Sequence, residues 1–592
     1  MLVGSMGSKD ETYIGRVRHV LGSQITVALD PELAGIAPIY KGQLQQVGQI
    51  GSLVRLPQGM VDLIATVTLV GISELTLGLG PQETSPVGER WLQVQLLGEV
   101  DRGTRQFRRG VGSYPGLDDQ VHFARTEELE AVYPNPSTTH IRVGRLSSSQ
   151  AIPVALDVNK LVVRHSAVVG STGSGKTSAV ASLLQGFSNG HWPAANIVVI
   201  DSHGEYGHAL AQHASIRSVL GSGETRLHVP FWALPAADIL RAFAGSSGGP
   251  TTQKTWTTLV ADARREFVLS ASWLHLNPSA VTADTPVPFD IRKAWLRLDS
   301  ENRETRRDKQ DPSTVCLDKE GSAETLTPNA YLPHGPGGKP PMQNPMFGTH
   351  GSTPELLRLG LLDPRLAFLL EPSGTPEGPD PLVDAVDSWI GGSKPLSVLD
   401  FNGVPDDAAE LAIGVILKLL FDVAIRTPNG SVGIGRPSPV LIVLEEAHRY
   451  LGDGAAPIAR NAANKIAREG RKYGIGLMLV TQRPSDLPDT ALAQCGTIIA
   501  LRLSNSADQG KIRMALPDSV AGLAETLPSL RTGEAIISGE GLVLPTRALL
   551  DRPDPLPLAE DPSLESWRNG HGTRDTAPAL ARWRGIYEME KQ

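Results

Sequence analysis

The segment from Gly170 to Thr177 constrains the fold of this chain more than any other part of the sequence. It reads GSTGSGKT, a full match to the phosphate-binding pattern G-x-x-x-x-G-K-[ST]. The apolar run HSAVV precedes it and the helix-forming run SAVASLLQGF follows it. These flanks predict a strand, a glycine-rich loop and a helix in that order, which is the core unit of a P-loop domain.

Further apolar runs extend the same pattern, and helical stretches separate them. None alternates with polar residues, as expected for buried parallel strands that helices cover on both faces. The runs are NIVVID, LSVLDF, VLIVLEE, GLMLVT, TIIALRL and EAIISG. We therefore predict an α/β fold, with a RecA-like P-loop ATPase domain built on a parallel sheet.

Changes of pattern divide the 592 residues into five segments. The N-terminal segment has short β-rich runs between Gly, Pro and Ser turns, which favours a small barrel. Further on, the α/β pattern pauses, and helical stretches precede a long Pro/Gly-rich loop. The predicted segments are an N-terminal β-barrel (1–148), a first ATPase part (149–235), a helical insertion (236–394), a second ATPase part (395–550) and a C-terminal tail (551–592).

Net charge and cysteine content bound the function. The formal charge of −8 argues against a uniformly DNA-binding surface, because neutralising phosphates requires Lys and Arg, but it permits a local positive surface. Two cysteines, Cys316 and Cys495, are too few for a metal cluster and predict reduced thiols in a cytoplasmic protein. The N-terminus lacks the pattern of a signal peptide, and the longest apolar segment, 411–425, carries Lys418 and Asp422, so we predict no membrane span.

The glycine-rich loop indicates the predicted cofactors, ATP and Mg²⁺. Its backbone N–H groups can surround a phosphate at a helix N-terminus, where the dipole favours negative charge. Lys176 is expected to reach the β- and γ-phosphates, and Thr177 to ligate Mg²⁺. The predicted nucleotide-binding residues are Gly170, Ser171, Thr172, Gly173, Ser174, Gly175, Lys176, Thr177 and Ser178.

Two acids end the run VLIVLEE and complete the predicted hydrolysis site. Glu445 is expected to hold the Mg²⁺ shell, and Glu446 to polarise the attacking water. The first acid is usually Asp, so Glu445 is a departure; its extra methylene can move the carboxylate or act through a water molecule. Gln482, with Thr481 beside it, ends the next apolar run and is the predicted γ-phosphate sensor.

A basic helix, IARNAANKIAREGRKYG, precedes that run. Arg468 and Arg471 are three residues apart and share a face, so they can act as arginine fingers on an adjacent subunit. A solvated or DNA-facing surface is the alternative. Asp201 ends NIVVID, and His203 and Glu205 after it could contact nucleotide, DNA or neither.

These motifs together resemble the HerA family of hexameric DNA translocases and helicases. The matching pieces keep the family's order and lie mostly in 141–210 and 396–540. They are RVGRL, VALDVNKLVVRHSAVVGSTGSGKTSAV, VVIDSHGEYG, VLIVLEEAHRYL, IAREGRKYGIGLMLVTQRPSDL and LRTGEAIISG. The N-terminal region also resembles the family's HAS barrel.

The resemblance implies a homohexameric ring with duplex DNA in its central channel and ATP between subunits. Arg471 lies at the family's REGRK position, and Arg531 in LRTGE is a further interface candidate. The barrel would dock a partner, either a NurA-like nuclease in DNA end processing and repair, or a Sir2-like or nuclease effector in antiphage defence. Only the channel of such a ring must be positive, which is compatible with the global charge.

Two alternatives remain open. One is another P-loop motor, such as a chromosome or conjugation translocase, although those usually carry membrane segments. The other is a ring scaffold that assembles and activates an effector enzyme, with ATP hydrolysis as a switch. The catalytic motifs indicate hydrolysis, but they do not by themselves indicate movement along DNA.

Overall fold

The structure, a computed structural model, describes most of the chain. The described residues are 10–33, 39–40, 43–44, 49–72, 90–133, 138–188, 191–370, 376–428, 430, 432–452, 454, 456–517, 520–558, 567–568 and 575–583.

The N-terminal strands form a closed barrel, which confirms the predicted small β-barrel. Six strands pair in the order β2-β1-β9-β5-β6-β7, and β2 then pairs with β7 to close the ring. In β7, inward-facing apolar side chains such as Leu92, Val94 and Leu96 alternate with more exposed ones, as strand geometry requires. The elements are β1 (Tyr13–Leu21), β2 (Gln24–Leu29), β3 (Ile39–Tyr40), β4 (Gln43–Leu44), β5 (Leu53–Gln58), β6 (Val61–Ile72), β7 (Arg90–Asp101), β8 (Phe107–Arg109), β9 (Gln120–Phe123) and α1 (Thr126–Val132).

The following elements begin a second, larger sheet. Strand β10 pairs with β11 and, near the other end of the chain, with β24, so residues 140–146 belong to this sheet. The elements are β10 (His140–Leu146), β11 (Ser149–Asp157), α2 (Val158–Val163), β12 (Ser166–Val169), α3 (Lys176–Ser188), β13 (Asn196–Asp201), α4 (Tyr206–Leu210) and β14 (Ala214–Ser218).

The described part of 236–394 contains five α-helices and four very short strands. The fully buried Trp256, Trp295 and Trp389 belong to the same apolar cluster as strand residues of the large sheet, so this segment packs on the sheet. Buried Arg264 donates hydrogen bonds to the carbonyls of Trp232 and Leu234, which ties a helix to the preceding loop. The elements are α5 (Ala236–Ala244), α6 (Pro250–Ser270), α7 (Ile291–Arg303), β15 (Thr305–Arg306), β16 (Leu317–Lys319), β17 (Ala330–Tyr331), β18 (Met342–Gln343), α8 (Thr353–Leu362) and α9 (Pro381–Trp389).

The remaining elements complete the large sheet. The longest apolar segment of the sequence, 411–425, lies in α10, where Lys418 and Asp422 pair at 2.8 Å. The elements are β19 (Leu396–Asp400), α10 (Asp406–Arg426), β20 (Val440–Leu444), α11 (His448–Leu451), α12 (Pro457–Tyr473), β21 (Ile475–Thr481), α13 (Asp489–Ala493), β22 (Thr497–Leu501), α14 (Ser506–Ala515), α15 (Ala521–Ala524), β23 (Glu534–Gly539), β24 (Thr546–Leu550) and α16 (Ala577–Trp583).

The large sheet has eleven strands in the order β11-β10-β24-β23-β22-β12-β21-β20-β13-β19-β14. The seven strands from β22 to β14 are parallel, which confirms the α/β class with its parallel sheet. Strand β23 pairs antiparallel with β22, so the run EAIISG does not continue the parallel part that its composition suggested. Within the described residues no helix is both long and apolar enough to cross a bilayer.

After β24 the chain forms a C-terminal strap (residues 552–558) over α3 and α4. Its backbone N–H at Asp554 donates to the side chain of Gln185 at 3.0 Å, and Gln185 donates back to the carbonyl of Pro555 at 3.1 Å. At the end of the strap, the N–H of Leu558 donates to the carbonyl of Glu205 at 3.0 Å. The strap thus ends at the loop that follows β13.

Candidate active site

The loop between β12 and α3 has the backbone geometry of a phosphate cradle. Gly173 and Gly175 have φ of 71° and 92°, in the left-handed region that favours glycine. A Cβ on Gly170 would lie 2.5 Å from Ser174 Oγ, so that position also has no room for a side chain. The helix begins at Lys176, which places the loop at a helix N-terminus as the sequence predicts.

Neighbouring segments support this loop from outside. The N–H of Ser171 donates to the carbonyl of Arg502 at 2.9 Å, and the N–H of Ser504 donates to Ser171 Oγ at 3.0 Å. The N–H of Gly533 donates to the carbonyl of Ser174 at 2.9 Å. The loop conformation therefore depends on the ends of β22 and on the turn before β23.

Lys176 and Glu446 meet across the carboxyl edge of the sheet. Lys176 Nζ lies 3.7 Å from Glu446 Oε1, and the two side chains are only 11% and 9% exposed. Burial by itself would raise the pKa of Glu446, but His448, whose Nδ1 lies 3.2 Å away, and the charge of Lys176 outweigh it and lower that pKa. Glu446 is therefore a carboxylate at neutral pH, the form needed to accept a proton.

Glu446 also has an unusual backbone. Its φ is 48°, in the left-handed region that non-glycine residues rarely adopt. Such a conformation costs about 1–3 kcal/mol and persists only where the surroundings enforce it. The N–H of Ala447, which donates to the carbonyl of Val480 at 2.9 Å, is one contact that holds this turn.

Glu445 is buried beside other acids, where its negative charge is disfavoured. It is 2% exposed, and its Oε2 has no hydrogen-bond partner among the described residues. Burial, followed by the negative charges of Asp201 and Glu205, raises its pKa well above the ordinary range. A buried, unsatisfied carboxyl among other acids is an environment that a cation would stabilise, so the residues present fit the predicted Mg²⁺.

Gln482 lies directly on the phosphate loop. Thr172 Oγ1 donates to Gln482 Oε1 at 2.8 Å, and strand register places Val169 opposite Thr481. Thr481 itself is fully buried, and its hydroxyl lies 3.1 Å from His448 Nδ1. The hydrogen bond therefore holds Gln482 against the phosphate loop, while Thr481 links the two strand ends.

Glu205, for which the sequence left contact with nucleotide, DNA or neither open, lies beside the phosphate loop. Its Oε2 accepts a hydrogen bond from Thr177 Oγ1 at 2.8 Å, so it contacts the hydroxyl predicted to bind the metal. Asp201, in contrast, is fully buried and accepts from the backbone N–H groups of Gly204 and Tyr206 at 2.8 and 2.9 Å. The signal in the sequence was an acid four residues beyond a strand end, inside the turn SHGEYG.

The two candidate finger residues lie elsewhere on the subunit. Arg468 and Arg471 are exposed on α12, and within the described part of the chain neither forms an ion pair. Arg531 is 62% exposed and lies 3.5 Å from buried Glu534. Ser178 is half-buried in the first turn of α3. A single subunit thus brings together Lys176, Glu446 and Gln482 with the loop, but not the arginines.

The acids of this site do not by themselves form a metal cage. Among the described residues no three His, Cys, Asp or Glu side chains are grouped so that they could hold a metal ion. This is compatible with Mg²⁺ in nucleotide sites, where phosphate oxygens, water and one or two side chains supply most of the ligands. Both cysteines are free thiols, as predicted.

Comparison with known protein families identifies two matching regions. The sequence model of the central domain of helicase HerA matches residues 141–333, and that of the helicase HerA-like C-terminal domain matches residues 415–542. Together the two ranges cover more than half of the chain. They include the phosphate loop, both strand-end acids, Gln482 and the basic helix.

Individual proteins are similar over most of their length. A probable helicase of Methanocaldococcus jannaschii is 24% identical over 470 residues, covering 79% of this chain and 80% of the relative. The DNA double-strand break repair helicase HerA of Pyrococcus furiosus is 25% identical over 483 residues, covering 76% of each. Among solved structures, VirB4 of Thermoanaerobacter pseudethanolicus aligns over 70% of this chain and 97% of its own with a TM-score of 0.44 and 12% identity.

Proposed function

This chain belongs to the HerA helicase family and is a P-loop ATP hydrolase, and from that premise we propose that it moves duplex DNA as a ring. The two relatives described above are named as helicases, the match covers more than two-thirds of each, and the one from Pyrococcus furiosus is named for DNA double-strand break repair. The proposed activity is ATP-dependent DNA translocation or unwinding, with ATP and Mg²⁺ as cofactors.

The approach of Lys176 to Glu446 carries this proposal. A cation that can bind the β- and γ-phosphates and a carboxylate that can accept a proton lie 3.7 Å apart. With ATP on the loop, Lys176 would pair with the phosphates, and Glu446 would turn to a water in line with the γ-phosphate. Gln482 would follow the terminal phosphate through the contact that it now makes with Thr172. Bound Mg²⁺ would neutralise charge on the phosphates.

Ring assembly is proposed because the exposed arginines of α12 make no contact with the phosphate loop of their own subunit in the described structure, so a further cation for the phosphates would come from a neighbouring subunit. The exposed Arg471 of an adjacent subunit would supply it, with Arg468 one turn away as the alternative. A contact in which one face of a subunit meets a different face of the next closes into a ring when the rotation per subunit divides the circle. Six subunits with duplex DNA in the channel is the arrangement we propose.

A partner enzyme is the second part of the proposed function. A closed six-stranded barrel has paired strand edges, so its loops and outer face remain as surface for another protein. We propose that a NurA-like nuclease, or a Sir2-like or nuclease effector, docks there in DNA end processing or in antiphage defence. The ATPase would then deliver DNA to the partner.

ATPase assays with and without linear duplex DNA test the proposal. We expect hydrolysis to depend on Mg²⁺ and to rise with duplex DNA, and native mass spectrometry to find a closed ring. A chain that hydrolyses ATP but neither binds nor responds to DNA is not a translocase. If a partner enzyme still requires it, the scaffold function takes its place.

A further inference from the structure

The hydroxyl of Thr177 is already oriented by a carboxylate other than the two strand-end acids. Thr177 Oγ1 donates its one hydrogen to Glu205 Oε2 at 2.8 Å. A hydroxyl that gives its hydrogen to one side presents its oxygen lone pairs to the other. The contact therefore fixes the direction in which Thr177 can offer an oxygen to a cation.

The backbone around Glu205 is held firmly enough for such a role. The buried carboxylate of Asp201 accepts from the N–H groups of Gly204 at 2.8 Å and Glu205 at 3.2 Å. Gly204 has φ of 73°, and a Cβ there would lie 3.1 Å from Asn402, so the turn requires glycine. Leu558 of the C-terminal strap binds the carbonyl of Glu205 from the other side.

A second observation at the same place points to a cation. Strand β20 lies beside β13, with Leu444 opposite Ile200, so Glu445 and the Asp201 turn lie at neighbouring strand ends. Glu445 buries an oxygen that has no hydrogen-bond partner in the described structure. Two carboxylates at one strand edge, one unsatisfied and one bound to a P-loop hydroxyl, are together a donor set for a hard divalent ion and its water molecules.

We propose that Glu205 is a positioning residue for Mg²⁺. Glu205 acts on the ion through Thr177 and through the water molecules that the ion retains. It accepts the hydrogen of Thr177 and so turns the hydroxyl oxygen toward the ion. The remaining lone pairs of its carboxylate accept from metal-bound water. This role rests on the proposed ATPase function and adds a residue to it. Partners in the second coordination shell change metal affinity by about 10- to 100-fold when they are removed.

Nucleotide binding measured with and without metal tests the proposal independently of turnover. A fluorescent, non-hydrolysable ATP analogue is titrated into the full-length protein in excess Mg²⁺ and in EDTA, and Mn²⁺ binding to the nucleotide complex is followed by electron paramagnetic resonance. Glu205→Gln keeps the shape of the side chain and removes its charge. Glu224→Gln, which changes an exposed acid in the same part of the fold, is the matched control.

We expect Glu205→Gln to weaken the Mg²⁺-dependent part of the affinity for the ATP analogue by about 10- to 100-fold. The affinity measured in EDTA should stay at the wild-type value. Thr177→Val should weaken metal-dependent binding similarly, and the double variant should lose less than the sum of the two single losses, because Glu205→Gln weakens and Thr177→Val removes the same hydrogen bond. Control and wild type should coincide.

Three results would overturn the assignment. One is a wild-type Mg²⁺ dependence in Glu205→Gln, even with slow hydrolysis, which would give Glu205 a part in proton transfer. Another is an equal loss of binding in Mg²⁺ and in EDTA, which would reduce its role to folding of the loop. The third is strict additivity with Thr177→Val. Failure of the proposed function itself looks different, since the wild-type protein would then hydrolyse ATP without binding or responding to duplex DNA.

Discussion

Two buried clusters of charged residues affect different properties of this protein, one its activity and the other its stability. At the nucleotide site, Lys176 neutralises Glu446 while Glu445 remains uncompensated. At the junction of β23 and β24, Glu534 is fully buried and accepts two hydrogen bonds from Arg547, both at 2.9 Å. The first cluster is poised for a ligand, whereas the second is satisfied within the fold. Substitutions in the two should therefore affect activity and stability separately.

Replacing Lys176 by Ala should abolish ATP hydrolysis, because the loop loses the lysine that would pair with the β- and γ-phosphates. Glu446→Gln should reduce hydrolysis by about 10²- to 10⁴-fold, the range expected for loss of a general base, while nucleotide binding persists. Phosphate-release assays and nucleotide titrations separate the two. If Lys176→Ala protein still hydrolyses ATP, the assignment of the nucleotide site to this loop is wrong.

Glu534 should make the protein sensitive to acid. Burial opposes its ionisation, but hydrogen bonds from Arg547, Ser147 and Arg531 outweigh burial and lower its pKa from 4.5 to about 2. Because the pKa is lower in the folded state, the stabilisation is present above the unfolded pKa and is lost as pH falls from about 4.5 toward 2. The contribution of ionised Glu534 to the free energy of unfolding is at most about 3 kcal/mol.

Glu534→Gln should therefore lower the free energy of unfolding at neutral pH and reduce its dependence on pH in the acid range. Urea denaturation at about pH 7 and about pH 3 measures both effects. Glu130 is exposed on α1 and forms no ion pair among the described residues, so Glu130→Gln is a suitable comparison. If Glu534→Gln costs as much at the lower pH as at the higher, ionisation of Glu534 does not contribute in this way.

These residues also differ in how far sequence could identify them. The phosphate loop is recognisable because its chemistry lies in eight consecutive residues, and Gln482 because it ends an apolar run. Glu534 carries no such local pattern, and Glu205 is marked only as an acid in the turn that follows a strand. The role of Glu205 depends on a side chain that is 28 positions away, and that of Glu534 on Ser147, 387 positions away. Such pairings become visible only when the sheet is assembled.

At the level of elements, the C-terminal strap connects the end of the chain to the nucleotide site. It contacts Gln185 on α3, His208 on α4 and the carbonyl of Glu205 in the loop between β13 and α4. All three contacts use backbone groups of the strap, so they depend on its path more than on its side chains. The strap should therefore hold α4 and the Glu205 loop in place for nucleotide binding.

Ending the chain after Asp551 should loosen α4 and weaken nucleotide binding while the sheet stays folded. Each lost hydrogen bond contributes about 0.5–1.5 kcal/mol. Hydrogen–deuterium exchange should rise in Tyr206–Leu210, and a chain that ends after Leu558, and so keeps the strap, is the control. Equal exchange and equal affinity in the two truncated chains would mean that the strap does not support the site.

Strand direction is where sequence analysis was least informative about elements. Buried strands of either direction have the same apolar composition when both faces are covered. The run EAIISG resembles TIIALRL, yet β23 runs antiparallel to β22. Direction follows from the connections and from β24 and β10, which extend the sheet at that edge. The arrangement of the barrel strands was easier to predict, because short alternating strands with tight turns have few other arrangements.

At the scale of the whole molecule, the distribution of charge and the exposed basic helix support a site shared between subunits. The chain carries a net charge of −8, while Arg468 and Arg471 lie exposed on one helix. A cation that contacts no acid of its own subunit, in the part of the chain described, is available to a neighbour's phosphates. Hydrolysis would then require two subunits for each nucleotide.

Mixed assemblies should reveal such sharing. Lys176→Ala and Arg471→Ala subunits should each be inactive alone, but co-assembled rings should regain activity at about a quarter of their interfaces, where the intact halves meet. Mixing Lys176→Ala with Glu446→Gln is the control, because both residues come from one subunit and no intact site can form. Without recovery in the first mixture, Arg471 does not act across an interface.

The position of β12 in the sheet has a consequence for how the protein is made. Its two neighbours, β21 and β22, lie more than 300 residues later in the chain. At about 5–20 residues per second, the ribosome delivers them tens of seconds after the phosphate loop has emerged. A nascent chain therefore carries its nucleotide motif for a long interval before the motif can fold. Nucleotide capture becomes a late event of synthesis, and an interrupted product would have the motif without the capacity to bind.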